Sequence, residues 1–156
     1  MKLKWNVVLL SLLSMSLAVP AVAQDGDIAV VVNSNNSVSS LSLSELRKIY
    51  TGEKHSWQNG QAIKPFVRAQ GSPEHAAVLK LLGMSDGDYH KHWTSQVYRG
   101  EAQAEPVQLP SNGMQKEAIV AFAGGIALIA AQDVRTGMKV LKIDGHLPGE
   151  SGYPLH

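Results

Sequence analysis

Phe66-Val67-Arg68-Ala69-Gln70-Gly71-Ser72-Pro73-Glu74 sets an arginine at the end of an apolar run and a serine four positions later, ahead of a helix-forming stretch. The first turn of a helix offers unpaired N–H groups and a partial positive charge. A guanidinium nearby can grip two oxygens of one anion. Arg68 and Ser72 together therefore suit reversible binding of phosphate or another small oxyanion. They also suit a plainer arrangement, in which Ser72 only caps its helix and Arg68 makes a surface ion pair.

The remaining reactive residues point away from catalysis and metals. Ser72 and His75 lie within one helical turn, but no third group is visible to orient the imidazole, and a capping serine already accepts a hydrogen bond. There is no G-x-S-x-G elbow, Walker loop or G-x-G-x-x-G turn. Gly124-Gly125 leads into an apolar strand-like run and does not open a helix, so it reads as a turn. His90 and His92 point about 200° apart on a helix, and His55, His75, His146 and His156 are scattered. No enzyme, metal or cofactor is expected.

The elements that must position Arg68 and Ser72 follow from hydrophobic pattern and capping. Ile28 to Val32 is a continuous β-branched run, as in a strand covered on both faces, which suggests a parallel sheet. Ser42-Leu43-Ser44-Glu45 has capping-box spacing, and Leu43, Leu46, Ile49 and Tyr50 continue a helix that Gly52 stops. After a polar turn from Glu53 to Gln61, Ile63 to Arg68 reads as a strand, with Pro65 marking an edge or a strand start. Ser72 and Pro73 open a second helix, with Ala76, Val78, Leu79 and Leu82 as its apolar face and Gly83 as its end. Asp86 to Tyr98 predicts a third helix with Tyr89, Trp93 and Val97 in a stripe; Trp57, Tyr89, Trp93 and Tyr98 are expected in or beside the core.

Glu101 to Leu109 reads as an extended connection. Ser111 to Ala123 predicts a fourth helix burying Met114, Ala118, Ile119 and Phe122. Ile126 to Ala130 and Met138 to Ile143 follow as strands, and an irregular tail begins near residue 145. The order predicts one three-layer α/β domain with a mostly parallel central sheet and flanking helices.

The segment SLSLSELRKIYTGEKHSWQNGQAIKPFVRAQGS resembles phosphate ABC-transporter substrate-binding proteins, with Leu43, Ile49, Tyr50, Gly52, Trp57, Ile63, Arg68, Gly71 and Ser72 in step with the family pattern. HWTSQVYRGEAQAEP and AFAGGIALI resemble later portions of its small members, so the likeness runs from Ile28 to about Ile143. It implies a periplasmic-binding-protein-like lobe in which Arg68, Gly71 and Ser72 bind phosphate. Two positions depart from the S-G-T helix start. Pro73 lacks the N–H that glycine would present, and Glu74 sets a carboxylate where threonine would donate a hydroxyl.

Met1 to Ala23 has Lys2 and Lys4, an apolar run from Val7 to Leu17, and Ala21-Val22-Ala23 before a polar stretch, the layout of a secretory signal peptide cleaved near Ala23-Gln24. The apolar run falls short of the roughly 20 residues that span a bilayer. Removing 23 of the 156 residues leaves 133, with 12 Lys+Arg against 13 Asp+Glu. One domain, residues 24–156, is expected, with no nucleic-acid surface and no membrane insertion after cleavage. The cysteine count of zero excludes disulfides and a lipidated cysteine. The resulting expectation is a periplasmic or secreted solute-binding-like protein with weak affinity for phosphate or another oxyanion. The alternative is an interaction module, docking on an envelope protein or on itself as a homodimer.

Overall fold

The computed structural model describes residues 26–156. The expected leader and its cleavage site therefore lie outside the described residues. The strands are β1 Ile28–Asn33, β2 Ser40–Leu41, β3 Lys64–Arg68, β4 Val107–Leu109, β5 Gly125–Ala130, β6 Met138–Val140 and β7 Lys142–Ile143. The helices are α1 Leu43–Tyr50, α2 Pro73–Leu82, α3 Asp86–Tyr98 and α4 Asn112–Ala121, with a short 3-10 turn at Ala131–Asp133.

Five strands form the central sheet in the order β4-β3-β5-β1-β6, and β2 pairs with β7 in a small separate ladder. β3 is parallel to β4 and β5, whereas β1 is antiparallel to both β5 and β6. Four of the five strands thus share a direction, and the sheet is mostly parallel. β1, whose unbroken apolar run suggested a parallel strand, is the reversed one. Its apolarity reflects cover on both faces, which the helices provide whichever way the strand runs.

Alternate residues show this directly. Val30 and Val32 join Val67, Ile126 and Leu128 against Leu46, Ile49, Val78, Leu81, Tyr89 and Trp93 of α1 to α3. Ala29 and Val31 join Phe66, Ala127 and Ile129 against Ile119 of α4. Helices therefore cover both faces in three layers, and each fully buried valine or isoleucine contributes about 2 kcal/mol.

Several boundaries and faces differ from the sequence expectation. Pro65 falls near the start of β3, not on an edge strand, and the edge is β4, inside the expected connection. The expected last strand splits at Leu141 into β6 and β7, which serve different sheets. In α4 the buried residues are Gln115 and Ile119, while Met114 and Phe122 are exposed. Gln115 takes an inward position because its Nε2 donates to the Leu128 carbonyl of β5 at 2.9 Å. Tyr98, expected beside the core, is 93% exposed, and Val97 is also exposed. The tail is irregular, yet it returns to the core: Tyr153 and Leu155 are buried, Ile28 N–H donates to the Leu155 carbonyl, and the Tyr153 hydroxyl donates to the Ile28 carbonyl.

Candidate functional site

Arg68 and Leu109 are register partners at the ends of β3 and β4. The chain leaves β3 into α2 on one face of the sheet and leaves β4 into α4 on the other. In an open α/β sheet the crevice beyond the strand ends, where successive connections take opposite faces, is the usual place for a ligand. Two helix N-termini flank it, one capped by Ser72 and the other by Ser111.

Arg68 is held by its own strand end. One terminal nitrogen donates to the Leu109 carbonyl at 3.1 Å, and the side chain is only 15% exposed. Its Nε–H is buried and has no hydrogen-bond acceptor. The nearest carboxylate oxygen, on Glu74, is 3.8 Å away, within reach of an ion pair but too far for a hydrogen bond. The backbone then turns through Gly71, whose φ of +87° favours glycine. A side chain there would meet no neighbour, so glycine is required by the turn and not by a close approach. Ser72 Oγ accepts the His75 N–H at 3.1 Å, which leaves its own O–H free to donate.

The first turn of α2 faces inward. Glu74 and His75 are 4% and 2% exposed, while the expected face residue Ala76 is exposed and Leu79 and Leu82 are only half-buried. The signal for this was in the sequence: Glu74, Val78 and Leu81 repeat at i, i+4, i+7, and all three are buried. The stripe is easily missed because its first member is charged.

His75 does not reach for Ser72. Its Nδ1 lies 3.1 Å from the Arg68 carbonyl and its Nε2 lies 2.6 Å from Asp86 Oδ1. The His75 ring and, next, Gln70 hold the Asp86 carboxyl below its ordinary value, so that oxygen is an acceptor. Both ring nitrogens thus lie against oxygens, the Arg68 carbonyl and the Asp86 carboxylate. This clamp joins the end of β3 to the starts of α2 and α3, and nothing in the local sequence spacing announced it.

The other histidines stay apart. His90 is exposed beside Glu105, and His92 is half-buried with Nε2 2.8 Å from the Thr51 carbonyl. Among the described residues no group of His, Asp and Glu could hold a metal ion. A cleft of about 510 Å³ opens at the opposite, N-terminal ends of β3 and β4, between Ile63, Pro65, Trp93 and Val107. It shares no residue with the Arg68 crevice.

The fold is found in solved solute-binding proteins. An ABC-type phosphate transport receptor from Vibrio cholerae is 21% identical, with a TM-score of 0.63 over 78% of this chain and 48% of its own. A Clostridium perfringens protein, assigned as a phosphate ABC transporter substrate-binding protein and solved with bound phosphate, gives 21% identity and a TM-score of 0.63 over 78% of this chain and 46% of its own. PstS from Borrelia burgdorferi is 16% identical, with a TM-score of 0.58 over 78% of this chain and 49% of its own. The chain spans a little under half the length of these structures. No curated protein sequence matches it. Residues 21–149 match the PBP superfamily domain, and the chain belongs to that superfamily.

Proposed function

We propose that this protein is an exported solute-binding lobe that binds phosphate or another small oxyanion weakly, with Arg68, Gly71 and Ser72 as its ligand-binding residues. One observation carries the reading: the buried Nε–H of Arg68 has no acceptor and sits at a strand end beside the N-terminus of α2. Such an N–H is costly to leave unpaired, and an anion oxygen is the acceptor that also suits the helix end. The structures with this fold that bind or transport phosphate support the ligand class. Among the described residues no helix is long and apolar enough to cross a membrane, and the signal-like Met1 to Ala23 supports export.

A lobe of this kind on its own leaves the ligand open to water, where each charged contact is weak, so the affinity proposed for the described residues is low. Millimolar phosphate should raise the melting temperature of the protein, and Arg68→Ala should abolish the rise. A wild-type melting curve indifferent to phosphate would reject the proposal.

A second reading is an envelope interaction module. Tyr98, 93% exposed next to exposed Val97 at the end of α3, favours it. Light scattering after size-exclusion chromatography tests self-association, and Tyr98→Ser should shift any dimer to monomer.

A further inference from the structure

We propose that Glu74 is a built-in counter-ion of Arg68, occupying the place that an external oxyanion would take and setting how weakly the site binds. This rests on the reading of Arg68 as the anion-facing residue and adds to it a residue that opposes the ligand.

The position of Glu74 is not incidental. It roots in the buried stripe of α2 with Val78 and Leu81, and its side chain is 5% exposed. A buried carboxylate is stable only near a cation, and among the described residues Arg68, 3.8 Å away, is its only ion-pair partner. No hydrogen bond from a described residue reaches either oxygen of Glu74. The carboxylate also sits in the first turn of α2, where the helix field favours negative charge. The helix end is therefore met by a charge from within the chain, and the guanidinium is ion-paired by the same carboxylate though not hydrogen-bonded by it.

The local charge count points the same way. Arg68 faces Glu74, one positive group against one negative one. A bound oxyanion leaves that set with an excess of negative charge. It must either push Glu74 aside or lie against it, and both weaken binding. Threonine at this position, or any neutral residue, would leave the guanidinium in need of an outside partner.

The test is isothermal titration of wild type, Glu74→Gln and Glu74→Thr with inorganic phosphate, with sulfate in parallel. Both variants should bind phosphate about tenfold more tightly than wild type or better, and adding Arg68→Ala to Glu74→Gln should remove the gain. If the variants are unfolded in plain buffer, millimolar phosphate should restore their circular dichroism by supplying the missing negative partner, and failure to do so overturns the proposal. Wild type that binds phosphate as tightly as both variants removes the counter-ion assignment and leaves the Arg68 reading standing. Variants that bind while wild type does not support the counter-ion and reject the wild-type oxyanion reading. Absence of binding in all three proteins overturns both.

Discussion

α2 and α4 begin in nearly the same way and end up with different surroundings. Each follows a parallel strand, and each is capped by a serine that accepts the N–H of the third helical residue, His75 at 3.1 Å in one and Met114 at 3.2 Å in the other. In α4 the first turn carries Gly113 and an exposed Met114. In α2 it buries Glu74 and His75 against Arg68 and Asp86. A capped helix end is thus common structural currency, and the buried charges make only one of the two a candidate site.

Removing the clamp should expose this difference most strongly. His75→Ala removes the ring that bridges the Asp86 carboxylate and the Arg68 carbonyl and is expected to cost about 3 kcal/mol in denaturant unfolding. Gln115→Ala, which removes the buried polar side chain of α4, should cost less, about 1–2 kcal/mol. If the two losses are equal, the charged cluster adds nothing beyond ordinary buried hydrogen bonding.

The caps themselves should be equivalent for stability and unequal for binding. Ser72→Ala and Ser111→Ala should each cost about 1 kcal/mol, but only Ser72→Ala should reduce the phosphate-dependent thermal shift. Equal weakening of phosphate binding by both would move the site to the crevice between the helices as a whole.

The smallest effect expected is on the acid limb of stability. The Asp86 carboxyl is held below its ordinary value of 3.8, chiefly by the His75 ring. Its folded value is therefore depressed, so its contribution is full above the unfolded value and is lost as pH falls through the folded one. Wild type should lose stability more steeply than Asp86→Asn below about pH 4, as followed by urea midpoints. Parallel curves would show that Asp86 does not report the clamp.

What was legible in the sequence was mostly local. Ser42 and Glu45 form the anticipated reciprocal cap, with Glu45 N–H donating to Ser42 Oγ and Ser42 N–H to the Glu45 carboxylate, because all the atoms involved lie within one turn. Ser72 and Pro73 start α2 for the same reason. The direction of β1 was hidden, since burial on both faces leaves the same apolar run in either orientation. The clamp was hidden because His75 and Asp86 are eleven residues apart across a complete helix. Met114 and Phe122 misled because their apolar side chains look like core, while Gln115, with an amide that pairs with Leu128, took an inward place. Arg68 stood out on its position alone, but the partners that decide its chemistry come from the tertiary fold.

The reversed strand β1 also governs the order in which this molecule can become itself. It is the first strand of the described residues, yet it lies between β5 and β6, and its Ile28 is fastened to Tyr153 and Leu155. β1 is therefore made before both of its neighbours, so a growing chain holds it without a strand to flank it until β5 follows. Contacts so distant in sequence form slowly, and this part of the sheet closes only after Tyr153 and Leu155 have been made.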